Sequence, residues 1–452
     1  MFRVIIIGGS ITGLTLAHCL ELAGIDYILL EKHVDILATV GGSLGLLPNA
    51  LRIFDQLGLY DKLSAVGCPV NVAHMTYPDG FVFSDSFPAG ILKKFGYPLS
   101  ILTRQELIQV LYEALPDQRK VRTGQRITNI QLHLHGVTVT SDSGTQYQGH
   151  LAVGADGVHS TTRTQLWNAA NAHDAIPVKE DSSLRVDYSC IFGLASPLPG
   201  VCPGEQVVAC SDNVNVLVFP GKDAHVGWGL VQKLDRRHTY LEATQFSRES
   251  LLAQARQARD IPLYKGIQFR HLQDNTKHCS ATMLEEGLFE TWHHGRIVCI
   301  GDSVSKMTPN MAQGANTAVE SAAVLANAIY RISRTENPSV TDIQAELDST
   351  LKEQKKRLRF IHAVSYATTR VHTRQGLVKK FLGRYAYPYT PNSAFHTFSR
   401  LIAGAPFLEF VPLPSRSEVP WVQSSERSWL LGRWRVLFVV AISIAIYYMF
   451  NA

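Results

Sequence analysis

A chain of 452 residues that is 46% hydrophobic and 18% charged holds enough apolar material for two or three packed domains, which excludes intrinsic disorder. Its formal net charge of +5, from 43 basic and 38 acidic residues, is too mild for a nucleic-acid partner. The seven cysteines are odd in number and none stand at C-x-x-C spacing, which argues against a disulfide framework and for a reducing compartment.

The N-terminus reads strand, helix, strand. Met1–Ile7 is apolar and β-branched, and its run Val4–Ile7 is short and ends in glycines, so it is a buried strand and not a signal peptide. Gly13–Ala23 has helical periodicity, Gly24 stands where a helix ends, and Tyr27–Leu30 is a second strand. Residues 101–115 predict a helix with Thr103 as N-cap and Glu106 in the first turn. Val137–Thr140 and Tyr147–Val153 flank the turn Asp142-Ser143-Gly144 as a hairpin.

From about Ile176 to Glu290 the texture changes to antiparallel strands, among them Val207–Cys210, Val214–Phe219 and Val226–Val231. His293–His294 reads as a turn in preference to a metal site. Ile297–Ile300 is again a buried strand, and Gly314–Ile332 is a long Ala-rich helix. The chain from Pro338 onward is mainly helical until Pro388–Pro420, which reads as an irregular connection.

Two features bear on location. Between Lys352 and Arg384 ten basic residues stand against one acid, Glu353, so that stretch carries +9 and the rest of the chain −4 by difference. It is either a solvated helix face or a surface turned to anionic lipid. Val436–Phe450 has no charge, Pro or Gly and follows Arg433, Trp434 and Arg435, a flank suited to a membrane interface. The expectation is a single transmembrane tail anchor, with the catalytic body in the cytosol and the endoplasmic reticulum as its membrane; a buried core helix is the alternative.

Three motifs carry chemistry. Gly8-Gly9-Ser10-Ile11-Thr12-Gly13 lies between a strand and a helix. Gly8 and Gly13 fill the tight-turn and close-packing positions of the dinucleotide fingerprint G-x-G-x-x-G, while Ser10 replaces its middle glycine. The helix N-terminus offers N–H groups to phosphates. Glu31, 18 residues after Gly13, ends the second strand, where a carboxylate accepts the hydroxyls of an adenosine ribose. The second motif is Gly154-Ala155-Asp156-Gly157-Val158-His159-Ser160. The third is Gly301-Asp302, continuing to Pro309 and Gln313-Gly314-Ala315-Asn316. A carboxylate at Asp302 suits the ribityl hydroxyls of a flavin, and a helix starting near Gly314 aims its N–H groups at the flavin pyrimidine edge. Each motif alone is weak, and a structural Gly-rich turn is the lesser alternative for the first once Glu31 is counted. In this order and spacing they point to FAD.

Together they resemble the aromatic-hydroxylase class of FAD monooxygenases, over about residues 1–335. More narrowly, Gly8–Leu16, Gly42–Gly58 and Gly301–Asn316, with the apolar C-terminal run, resemble fungal FAD-dependent epoxidases of meroterpenoid and indole-diterpene biosynthesis. The resemblance implies FAD contacts at Glu31, Gly45, Arg104, Asp302 and Ala315. These join Gly8, Ser10, Gly13, Asp156 and Gly314 as the candidate cofactor-binding residues; no catalytic acid or base is identified. It further implies NADPH as co-substrate, a prenylated small-molecule substrate, contact with membrane lipid, and functional coupling to a membrane terpene cyclase. Ser305 and Ala312 depart from the class, which places a His after G-D and a Gly before Gln-Gly.

The expected fold is α/β: a Rossmann-like FAD-binding domain with an inserted antiparallel β-sheet substrate domain, a C-terminal helical region and one transmembrane helix. Its parts are 1–175 and 291–345 for FAD, 176–290 for substrate, 346–430 helical with a linker, and 431–452 as the anchor. The expected reaction is epoxidation of a farnesyl or geranylgeranyl alkene. An aromatic hydroxylase on the same fold and a non-catalytic prenyl-binding protein are the alternatives.

Overall fold

In a computed structural model of the chain, residues 2–37, 42–173, 184–243 and 248–416 are described. Six strands form one sheet in the order His293–His294, Ile297–Cys299, Leu151–Gly154, Arg3–Ile7, Asp26–Leu30, Val121–Arg122. All neighbours pair in parallel except the first two. Val4 through Ile7 are all buried, as a parallel strand covered on both faces requires, so the run is continuously apolar and does not alternate. Helices Ile11–Leu22 and Gln313–Ser333 pack on each other beside this sheet and share its core. Each of the three motifs follows the carboxyl end of one of its adjacent central strands, the crevice where open α/β sheets bind ligands.

A second sheet has eight strands: Ser305–Lys306, Thr276–Leu288, Arg185–Ala195, Val226–Thr239, Val214–Pro220, Glu205–Ser211, Val72–Thr76 and Val82–Asp85. Period-two alternation gives it two apolar faces. Val216, Val218, Trp228 and Leu230 pack with Phe269 and Leu272 on one side; Tyr188, Cys190, Leu217 and Val231 cluster on the other. The sheet is not confined to 176–290 as the sequence suggested. Val72–Thr76 pairs in parallel with Glu205–Ser211, and Val82–Asp85 pairs with Val72–Thr76. The early segment thus satisfies an edge that would otherwise stand open.

The 33-residue helix Val340–His372 starts in a capping box of Ser339 and Asp342 and lies across both sheets' elements. It corrects the reading of the basic stretch as one lipid-facing surface. Seven of its ten cations are paired with acids: Lys356 with Glu353, Arg357 with Glu320, Arg359 with Glu290, Arg370 with Asp187 and Glu286, Arg374 and Lys380 with Asp212, and Arg384 with Asp79. The local excess mostly ties elements together. A second difference lies in Pro388–Pro420, where Ser393–Ala403 is a helix and Phe398 stacks on Phe87.

Among the described residues no helix is long and apolar enough to cross a membrane. The run Val436–Phe450, on which the expected anchor rests, lies outside them.

Candidate functional site

The first motif is built by steric necessity. Gly8 has φ +111°, and a Cβ there would lie 2.4 Å from the Ala155 carbonyl oxygen. A Cβ on Gly13 would lie 1.9 Å from the Gly8 oxygen, so the helix can approach the turn only with glycine at that place. The turn is clamped from the next strand. Glu31 is buried and accepts from the Gly9 N–H at 2.6 Å and the His33 N–H at 2.9 Å.

Ser10, the departure from the fingerprint, has a partner that sequence spacing does not reveal. Its hydroxyl accepts from Arg104 Nη2 at 2.7 Å. Thr103 caps the helix Arg104–Glu113 in a full capping box with Glu106, which fixes Arg104 at the first helical position. The Arg104 Nη1 is buried without a partner among the described residues. Burial lowers the guanidinium's pKa, while the nearby charges of Asp302 and Glu31 oppose that shift. A buried donor left open beside the Gly-rich turn is what an anionic pyrophosphate would satisfy.

Asp302 follows the strand Ile297–Cys299 and is paired with Lys306. Burial alone would depress Lys306, but Asp302 and Glu285 outweigh it and its pKa is raised. Gly301 and the second motif are cross-tied. Ser303 Oγ donates to the Gly154 carbonyl at 2.9 Å, and Arg163 Nη1 donates to the Ser303 carbonyl at 2.7 Å. The Asp156 carboxylate accepts from Ser160 Oγ at 2.5 Å and from the Thr162 N–H and Oγ1 at 3.0 Å each. Its oxygens therefore hold the start of helix Thr161–His173.

The helix Gln313–Ser333 begins at Ala312, which is left-handed at φ +51° where the class has glycine. Asn316 binds this helix to the strand Ser43–Leu46: its Nδ2 donates to the Gly45 carbonyl and its Oδ1 accepts from the Leu47 N–H, both at 2.8 Å. Gly45 thereby sits against Ala312, and a Cβ on it would be 3.1 Å from the Ala312 methyl. A Cβ on Gly314 would meet open space, so the helix start is accessible next to Ala315. Gly8, Ser10, Gly13, Glu31, Arg104 and Asp302 are gathered at one end of the parallel sheet; Gly45, Gly314 and Ala315 form a second group at the start of the long Ala-rich helix.

Sequence reasoning missed two groups. Ser305, standing in the place of a histidine, bonds His362 Nε2 at 2.9 Å, so an imidazole reaches that place from the helix Val340–His372. Burial pushes His362 down to about 4. On the second sheet's inner side, Asn310 Nδ2 bonds both Asn215 Oδ1 at 3.2 Å and His372 Nδ1 at 3.1 Å, and its Oδ1 accepts from Thr369 at 3.1 Å. Asn215 is fully buried with Nδ2 unpartnered among the described residues, and His372 is pushed down to about 4 by burial. The bonded pairs lie 57 to 95 positions apart, and no local pattern announces them. Arg163 was within reach, since it follows Asp156 on the helix that this motif starts.

The parallel sheet with three phosphate- and flavin-type motifs, joined to an antiparallel sheet across a long helix, defines an FAD-dependent hydroxylase fold. Structures of Klebsiella pneumoniae HpxO, one complexed with FAD and uric acid, share it at a TM-score of 0.74 and 20% identity, covering 90% of this chain and 97% of that one. The model of the FAD binding domain family matches residues 1–342. Among curated proteins, the FAD-dependent monooxygenase sdgC of Emericella nidulans is 52% identical over 99% of this chain and 96% of its own length. The FAD-dependent monooxygenase atmM of Aspergillus flavus is 40% identical over 99% and 95%. The FAD-dependent monooxygenase paxM of Penicillium paxilli is 40% identical over 95% and 91%. The chain belongs to the FAD binding domain family and, within it, to the FAD-dependent monooxygenases of fungal secondary metabolism.

Proposed function

We propose that this monooxygenase epoxidises an alkene of a prenylated small molecule, with NADPH as electron donor and O₂ as oxygen source. The observation behind the reading is one face of the eight-stranded sheet, where the partly buried Phe192 and Phe219 lie on a buried apolar cluster of Tyr188, Cys190, Val208, Cys210, Leu217 and Val231 and offer an apolar wall. A hydrocarbon chain loses no hydrogen bond on entering such a wall and gains its burial. Reduced FAD supplies activated oxygen for transfer to an electron-rich group.

The chain's own residues hold and enclose that chemistry. Arg104, oriented by Ser10, would neutralise the pyrophosphate. Glu31 would accept from the ribose while it clamps the turn, and Asp302 would meet the ribityl hydroxyls. The start of helix Gln313–Ser333, at Gly314 and Ala315, would turn its N–H groups to the pyrimidine edge, where negative charge on the reduced ring is stabilised. An alkene accepts oxygen without losing a proton, so no base is required.

Membrane attachment through Val436–Phe450 belongs to the same proposal. The run's fifteen uncharged residues and its Arg-Trp-Arg flank support it, although at roughly 1.5 Å per residue it rises about 22 Å and needs neighbouring residues or a thinned bilayer to span. The test of function is incubation of the holoenzyme with NADPH and a panel of prenylated phenols and indoles. The expected product has gained one oxygen on the prenyl chain. Oxygen found on the aromatic ring of every accepted substrate would refute the epoxidase reading.

A further inference from the structure

Of the exposed large apolar side chains among the described residues, five crowd into one short segment. Leu377 is 85% exposed, Val378 52%, Phe381 50%, Tyr385 55% and Tyr389 67%. They lie on the helix Gly376–Phe381, the π-helical turn Leu382–Ala386 and the 3₁₀ turn Tyr387–Tyr389. Four of them follow one another at intervals of four, so they form a single stripe. The Phe381 and Tyr385 rings are 5.5 Å apart.

The orientation of this segment is inverted. A surface helix ordinarily buries its apolar stripe and wets its charges. Here the polar groups face the protein. Lys380 Nζ donates to Asp212 at 2.6 Å, Arg384 Nε to Asp79 at 2.8 Å, and the Arg384 guanidinium lies 3.7 Å from the Phe81 ring centroid. The Gly383 carbonyl accepts from Tyr77 at 2.5 Å. The segment is thus pinned with its apolar side out. Contiguous exposed apolar surface of this kind marks an interaction site.

We propose that this stripe docks on a lipid bilayer, a reading that rests on the membrane attachment proposed above. Three observations select lipid as the occupant. Tyrosines at the far end of a stripe of Leu, Val and Phe match the composition of a membrane interface. The described chain ends at Arg416, whose backbone packs against Gly96 at the end of helix Phe87–Phe95. Phe87 of that helix stacks on Phe398, the sixth residue of the helix that follows the stripe, and the 36 residues that follow Arg416 include the uncharged run Val436–Phe450. Lastly, Tyr77 and Tyr387 join the apolar cluster on the inner face of the eight-stranded sheet directly beneath the stripe. Docking there sets the proposed substrate wall against the lipid in which a prenyl chain dissolves. With Lys380 and Arg384 already paired, Lys379 is the remaining cation of the segment, so binding is mainly apolar and only weakly sensitive to salt.

The test uses the full-length holoenzyme and phosphatidylcholine vesicles, read by hydrogen–deuterium exchange over residues 376–389. The expected result is slowed exchange in that segment when vesicles are added, at low and high salt alike. In Leu377→Asp/Phe381→Asp that slowing is lost, while FAD content and carbonate-resistant attachment are kept. In full-length Ile444→Asp, attachment through the tail is lost and the vesicle-dependent slowing at 376–389 remains at higher lipid concentration. Loss of attachment in neither variant would sink the tail reading and leave the stripe standing. Slow exchange at 376–389 without lipid overturns the proposal: if it depends on protein concentration the occupant is a second copy, and if it vanishes in Ile444→Asp it is the chain's own tail. Exchange unchanged by vesicles overturns it as well.

Discussion

Replacing Arg104 by Met tests the cofactor site through two quantities that should respond differently. Without cofactor, the guanidinium makes one side-chain hydrogen bond, to Ser10, and leaves Nη1 buried and unsatisfied. Losing a bond to a charged group costs about 1.5–3 kcal/mol, and removing an unsatisfied buried donor returns about 1–3 kcal/mol. The two nearly cancel, so apoprotein stability should change by no more than about 1–2 kcal/mol in either direction. With cofactor the balance differs, because Nη1 gains an anionic acceptor. The loss of one charge-assisted bond of about 1.5–3 kcal/mol raises the FAD dissociation constant roughly 10- to 150-fold. Fluorescence titration of apoprotein with FAD measures the affinity, and thermal unfolding with and without excess FAD measures the stability; the stabilisation conferred by FAD should shrink by the same free energy as binding. An Arg104→Met protein that binds FAD as tightly as the parent while its apoprotein is strongly destabilised would show that Arg104 is a structural residue and that the pyrophosphate lies elsewhere.

Three further outcomes follow from the geometry. Gly13→Ala places a methyl 1.9 Å from the Gly8 oxygen, so the helix must move off the turn; flavin absorbance should be lost and the melting temperature should fall, by overpacking of about 1–3 kcal/mol or more. His362 and His372 have an ordinary pKa of 6.5 and are held down to about 4 in the folded chain. Between those values the unfolded chain binds protons that the folded chain does not, so their contribution to stability is full above pH 6.5 and is lost as the pH falls toward 4. Melting curves across that window should flatten in His362→Asn and His372→Gln, and an unchanged slope in both would show that the imidazoles are protonated where they lie. Truncation after Glu426 should release the protein from carbonate-washed membranes with flavin still bound, and sedimentation of the truncated chain with those membranes would place the attachment elsewhere.

The parts of the site legible in the sequence are those whose cause is local. Gly8 and Gly13 are demanded by backbone contacts across one turn, and Thr103 with Glu106 closes a capping box at a fixed separation of three. Glu31 ends a strand that pairs with the first one, so its place follows from the strand–helix–strand pattern. What was not legible depends on distant partners. Ser10 reads as a defect in the fingerprint until Arg104, 94 residues on, is found to use it. Ser305 reads as a missing histidine until His362 arrives from another helix. The second sheet's boundary was misjudged because Val72–Thr76 pairs with Glu205–Ser211 across more than a hundred residues. The helix Ser393–Ala403 was hidden by the prolines that flank it, although none falls inside it.

The helix Val340–His372 shows why a local count of charge misleads. Arg357 is almost buried and holds Glu320, fully buried on the helix whose start is proposed to face the flavin. Five residues on, His362 reaches Ser305 beside the third motif, and Ser365 and Thr369 bond Thr308. Arg370 then grips Glu286 in bidentate fashion and Asp187 besides, both on the eight-stranded sheet, and His372 meets Asn310 and so Asn215. A buried carboxylate left without its cation is strongly destabilising, so each of these arginines is required by an acid far away in sequence and none is available to lipid. The same continuous rod therefore fixes the third motif relative to the eight-stranded sheet, and the exposed stripe at 377–389 begins within five residues of its end. Charge in this helix serves registration between the two sheets, while the proposed contact with lipid falls to the apolar side chains that follow it.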